Sequence, residues 1–196
     1  MHFLLNKGGL YKVYNGNLLY HGCVPLKEDG NLKSVRIFGH TYKGKGLYEV
    51  LESYVRKGFY AMDSKEKERG KDIMWYIWLS ENSPLFGKDK MATFERYFLA
   101  EKETHKEKKN PYYLLLEDEK VICHILKEFG LENKDAHIIN GHVPVKCKDG
   151  EKPIKCGGKV LVIDGGFSRA YQKETGIAGY TLIYNSYGLI LAAHEP

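Results

Sequence analysis

Two short apolar runs, each stopped by a polar residue and glycine, constrain this chain most. Ile138-Ile139 runs into Asn140-Gly141-His142, and Val160 to Ile163 runs into Asp164-Gly165-Gly166. Each has strand length and ends beside a residue able to do chemistry. In α/β proteins, ligands and metals gather at the carboxyl ends of strands. A similar junction comes much earlier, where Asn17-Leu18-Leu19-Tyr20 is followed by His21-Gly22. The chain therefore presents two histidines, His21 and His142, each at the end of a predicted strand and each beside a glycine.

The remaining elements are read around these junctions. Phe3 to Leu5 and Leu10 to Tyr14 read as short strands, and Asn15-Gly16 is a type I′ hairpin signal leading into Leu18 to Tyr20. Gly22 to Pro25 is a tight bend, Lys27 to Asn31 a turn, and Lys33 to Phe38 a short strand. Leu47, Val50, Leu51, Tyr54 and Val55 recur at helical spacing and predict a helix over Gly44 to Met62. Asp72 is a plausible N-cap for a short helix, Ile73 to Leu79, whose Trp75 and Trp78 suggest a buried packing element. Ser80 to Met91 reads as a loop and Thr93 to Leu99 as a strand. Asn110-Pro111 starts a long helix whose apolar side runs from Leu114 to Phe129, ended by Gly130. Ser168 to Gly179 is a loop or short helix, and Tyr180 to Asn185 and Gly188 to Ala193 are two further strands. The whole reads as one globular piece over residues 1–196.

Composition narrows the class. With 196 residues, 43% hydrophobic and 28% charged, the chain can bury a core and is not a disordered sequence. The net charge of +5 is modest, and the lysine-rich runs Lys65 to Lys71 and Lys102 to Lys109 are mixed in sign, the mark of solvated faces. Nucleic acid is not an expected partner; a small phosphorylated ligand suits a mild positive field. Cys23, Cys123, Cys147 and Cys156 form no CxxC pair, so neither a structural zinc site nor a disulfide framework is expected. No signal peptide and no long apolar run appear, so a soluble, cytoplasmic protein without membrane contact is expected.

Chemistry then rests on a few side chains. Imidazole ligates manganese, iron and zinc, so His21 and His142 are candidate metal ligands, although a single histidine after a strand is more often a surface residue. Two histidines are too few for a two-metal hydrolytic site, which needs a bridging carboxylate and further ligands. No GDxxDRG or GNHE stretch occurs. His124 reads as a packed boundary residue, and His137 as a group acting behind His142. Asp164 reads either as a turn cap or as a ligand-facing carboxylate beside glycines that allow close approach. Asn140 and Arg96 are candidate substrate-binding residues, Arg96 because a guanidinium holds phosphate oxygens in pairs. Thr175 to Gly179 lacks the lysine of a phosphate-binding loop.

Leu18 to Leu26, LLYHGCVPL, resembles the histidine-bearing HGGLSP-type segment of the calcineurin-like metallophosphoesterases. IINGHVP, from Ile138, resembles the later GH segment of that superfamily. NLLYHGCVPL, MATFERYF, KNPYY, HIINGHVPVK and VIDGGFSRAYQKETGIAGYTLIYNSYGL together resemble one branch, the class III fructose-1,6-bisphosphatases of bacteria.

The resemblance implies a partial metallophosphoesterase sandwich, an α/β fold with mixed sheets flanked by helices. It implies hydrolysis of the 1-phosphate of fructose 1,6-bisphosphate in gluconeogenesis, with Mn2+ in a two-metal site to which His21 and His142 contribute. Family members are several times longer, and their other metal motifs lie upstream. The chain is thus expected to be a C-terminal portion of a catalytic domain, with little activity alone and a tendency to self-associate through exposed sheet edges. The alternative is an independently folding module that binds a sugar phosphate or nucleotide.

Overall fold

The computed structural model of the chain describes residues 2–195, without the side chains of residues 170 and 171. In chain order it comprises α1 (His2–Lys7), β1 (Tyr11–Tyr14), β2 (Asn17–Tyr20), β3 (Val35–Ile37), β4 (His40–Tyr42), α2 (Gly44–Tyr60), α3 (Ser64–Leu79) and α4 (Thr93–Phe98). These are followed by α5 (Glu119–Glu128), β5 (Ile138–Asn140), β6 (Ile154–Lys155), β7 (Val160–Val162), α6 (Arg169–Thr175), β8 (Gly179–Asn185) and β9 (Gly188–His194). The chain forms two compact units, one of Met1–Lys12 with Gly22–Leu115, the other of Val13–His21 with Leu116–Pro196. The architecture is mixed α/β, as expected.

The first unit is built on a helical hairpin. Leu47 and Leu51 of α2 and Ile73 and Ile77 of α3 pack with Val35 and Ile37 of β3 into one buried cluster. Asp63 caps α3, its carboxylate accepting from Glu66 N at 3.0 Å. The buried Asn110 side chain accepts from Leu26 N at 3.2 Å and Tyr112 N at 3.0 Å, tying two loops of this unit together.

The second unit contains the strands that carry the histidines. The five-stranded sheet has the order β1-β2-β5-β7-β6. β2, β5 and β7 run parallel, with Leu18 opposite Ile138 and Ile138 opposite Val160; β6 runs antiparallel to β7. β5 and β7 are buried at every position, the pattern of parallel strands covered on both faces. Asn15 and Gly16 both adopt left-handed φ, 48° and 74°, as the type I′ turn between β1 and β2 requires. β8 and β9 pair along their whole length as a separate hairpin. Asp118 caps α5, whose Val121, Ile122, Ile125 and Leu126 are buried, and Gly130 follows its end at φ 82°.

Four expectations are corrected. Phe3 to Leu5 lies in α1, not a strand; a three-residue apolar run carries no period to separate the two. Thr93 to Phe98 is helical despite its aromatic content, with Phe94 and Phe98 stacked one turn apart, centroids 6.3 Å. α3 begins at Ser64, so Asp72 is an interior residue and not a cap, and helical phase turns Trp75 and Trp78 outward instead of burying them. The helix expected from Asn110 is broken: Pro111–Leu114 forms one 3-10 turn, and α5 starts anew behind Asp118.

Candidate metal centre

Parallel pairing decides the site. Because β2, β5 and β7 are adjacent and in register, the residues just past their carboxyl ends come together at one edge of the sheet. Those residues are His21, Gly141-His142 and Asp164. Gly141 N donates to His21 O at 2.9 Å, and Val145 N donates to Asp164 O at 2.8 Å, which extends the ladder into the loops. Junctions separated by more than a hundred residues in sequence thus become neighbours.

The two imidazoles face one another. His21 Nε2 lies 3.0 Å from His142 Nδ1, and the rings meet edge to face at 67° with centroids 4.8 Å apart. Without an ion between them, one ring N–H donates to the other ring nitrogen. His142 holds its position at a conformational cost. It has φ 69°, and Val143 N donates to Gly141 O at 2.8 Å across it. That is a γ-turn of the strained hand, centred on a residue with a Cβ. Strain of this kind persists only where the surroundings impose it, and it clusters at functional sites. His21 needs no such turn, because β2 delivers it directly.

The geometry fits a shared ion. Two nitrogens bound to one ion at about 2.1 Å and at right angles stand about 3.0 Å apart, which matches the separation of the pair. Among the described residues no group of three or more His, Cys, Asp or Glu side chains is placed to hold a metal. The pair therefore offers an ion at most two ring nitrogens.

The two flanking glycines differ from one another. A methyl on Gly22 would lie 2.6 Å from Pro84 O, so this glycine accommodates a backbone carbonyl of the first unit. A methyl on Gly141 would meet Asp164 Cβ at 3.5 Å and His21 O at 3.7 Å, ordinary contact. Asp164 therefore borders Gly141, and its Oδ1 accepts from Gly166 N at 2.9 Å as a turn cap. Asn140, one position before the γ-turn, is 2% exposed. Arg96 belongs to the first unit, where its Nη2 lies 3.3 Å from Glu107 Oε1. Glu107 also receives Lys88 Nζ at 2.8 Å and Ala92 N at 3.0 Å. Burial opposes its ionisation, but the Lys88 and Ala92 hydrogen bonds prevail and hold its carboxyl below the usual range.

Other sequence candidates take structural places. His137, expected to act behind His142, precedes β5 whereas His142 follows it. Its Nδ1 lies 2.9 Å from Asn17 Oδ1, which also accepts from His137 N at 3.2 Å, so it ties the start of β5 to the start of β2. Burial, then the Lys159 charge, lowers its pKa. His124 is exposed on α5, not packed. Cys23 is fully buried, and burial pushes its thiol up to about 12, leaving it inert at neutral pH. The feature that sequence reading missed is the strained turn at His142; Asn140-Gly141 ahead of it is its only local signal.

A parallel core with two histidines converging past its strand ends defines a candidate metal-binding α/β protein. The family model described as Firmicute fructose-1,6-bisphosphatase matches residues 1–196, and the chain belongs to that family. It is 62% identical over 195 residues to "Fructose-1,6-bisphosphatase class 3" of Clostridioides difficile (strain 630), covering 99% of this chain and 30% of that protein. It is 60% identical over 195 residues to the protein of the same name from Clostridium botulinum (strain Hall), covering 99% of this chain and 29% of that protein. The chain thus spans under a third of the length of these curated relatives. No solved structure matches it. No helix among the described residues is long and apolar enough to cross a membrane.

Proposed function

We propose that this chain supplies two histidine ligands to the divalent-metal centre of a phosphatase that, as a whole protein, removes the 1-phosphate of fructose 1,6-bisphosphate. The observation that carries the reading is the 3.0 Å approach of His21 Nε2 and His142 Nδ1 past the ends of adjacent parallel strands. Membership in a family whose relatives are named for that activity supports it. Manganese is the ion this reading favours, the two-sheet metallophosphoesterase sandwich the fold, and gluconeogenesis in the cytoplasm the setting.

When bound, a divalent metal would polarise the phosphoryl oxygens and lower the pKa of a coordinated water. The residues of this chain prepare for that. On binding, the ring N–H shared between His21 and His142 would give way, and each ring would offer one nitrogen lone pair. The γ-turn fixes the second ring, so little ordering remains to be done on binding. Asp164, whose Oδ1 accepts from Gly166 N, lies against Gly141 in the same loop cluster. With two histidine ligands, the chain alone is expected to bind the ion weakly and to turn over little substrate.

Manganese titration of the chain, followed by NMR, tests the reading. Mn2+ should broaden the ring signals of His21 and His142 before those of His2, His40 and His194, and His142→Ala should abolish the selectivity. Equal broadening of all histidines would overturn the site. Manganese-stimulated turnover of fructose 1,6-bisphosphate approaching that of a full-length relative would overturn the expectation of weak activity while leaving the site intact.

A further inference from the structure

The first unit carries a surface that the phosphatase reading does not use. Lys67, Lys71, Met74, Trp75 and Trp78 of α3 line one side of an apolar groove of about 670 Å³, with Val55 and Phe59 of α2 opposite and Leu5 of α1 at its end. At 100° per residue the five α3 positions fall within an arc of about 100°, beside the arc of Gly70, Ile73 and Ile77 that packs on α2. The floor is Gly58 against Gly70, where a methyl on either would lie 2.5 Å from the other's Cα, so the helices meet backbone to backbone. Trp75 and Trp78 are the only tryptophans in the chain and are 67% and 68% exposed. An exposed apolar patch of this kind marks an interaction site.

The order of residues along the stripe selects the occupant. Cations stand at its amino end, Lys67 and Lys71, and indoles at its carboxyl end, Trp75 and Trp78. The midpoint between Lys67 and Trp78 nearly coincides with the midpoint between Lys71 and Trp75. A two-fold axis at that level, with a second α3 antiparallel to the first, therefore seats Lys67 on the partner's Trp78 and Lys71 on the partner's Trp75, and the reverse. Isologous interfaces demand this reciprocity, and an ammonium over an indole face is attractive. The same helix makes such a contact within the chain, Arg69 over Phe38 at 5.5 Å. Two indoles, each two-thirds exposed, offer roughly 150 Å² apiece. Two copies, with Met74, Phe59 and the lysine stems added, reach the order of 1,000 Å² that a specific interface requires. We propose that this groove is a homodimer interface in which α3 of one copy lies antiparallel on α3 of a second copy.

Because both tryptophans lie in the groove, indole emission reports its cover directly. The full 196-residue chain is diluted from hundreds of micromolar to nanomolar, and emission is followed beside sedimentation velocity. Dimer should convert to monomer with an emission red shift over the same concentration range. The double variant Lys67→Glu, Lys71→Glu keeps both reporters and replaces exposed residues; its dimer dissociation constant should rise at least about tenfold, with unchanged far-UV circular dichroism. Three results would overturn the proposal: a monomer at every concentration, a monomer whose emission is already blue-shifted, or a dimer that the double charge reversal leaves as tight as before. The last would transfer the interface to another surface, such as the sheet edges.

Discussion

The two histidine junctions of the second unit end in the same place by different means. His21 follows β2 without a special backbone conformation, and the glycine after it is filled against Pro84 O. His142 follows β5 through a γ-turn at φ 69°, and a methyl on the glycine before it would meet only ordinary contacts. The ring contact is shared by both, and their backbones differ. The comparison shows that a strand can deliver one imidazole unaided, while the second must be bent back to meet it.

The largest effect tests what the junctions share. His21→Ala and His142→Ala should each weaken manganese binding by roughly two orders of magnitude, since each removes one of two ligands; titration calorimetry checks this, and unequal losses would show that the rings do not share an ion. The next concerns the glycines. Gly22→Ala should destabilise the chain by roughly 1–3 kcal/mol through the clash with Pro84 O. Gly141→Ala should lie within about 0.5 kcal/mol of neutral, and urea unfolding distinguishes the two.

A smaller effect isolates the turn. His21→Gly should cost about 0.5–1 kcal/mol in backbone entropy beyond the lost ring contact. His142→Gly loses the same contact but relieves a left-handed residue, worth about 1–2 kcal/mol. With no metal added, the second variant should be the more stable; the reverse order would remove strain from the account.

The smallest is a pH effect at the far end of β5. The folded pKa of His137 lies below its ordinary value, through burial and then Lys159, so its neutral form favours the fold. That contribution is complete above the ordinary imidazole range and is lost as pH falls through it toward the folded value. Unfolding midpoints measured between pH 8 and 5 should decline less in His137→Gln than in the unaltered chain.

Legibility followed the range of the interactions. The Asn15-Gly16 turn, α2, the strand before His142, the run ending at Asp164 and the Gly130 stop are set by neighbours in sequence, and each lies where the pattern placed it. α3 and α4 depend on distant partners. α3 meets α2 through Gly70 against Gly58, and Thr93 to Leu99, read as a strand, holds a helix whose Arg96 pairs with Glu107. Arg96 as a phosphate ligand was plausible by residue type alone; its ion pair and its place in the first unit were not legible.

By itself the sequence determined that His21 and His142 follow strands beside glycine, and its motifs resemble the family to which the chain belongs. Those are facts of local pattern and composition. Only the tertiary structure decided that the two rings meet, because parallel register between β2 and β5 couples residues more than a hundred positions apart. It alone decided that His142 bends through a left-handed turn and that both tryptophans face outward, because each depends on which backbone packs against which, and local propensity does not encode that.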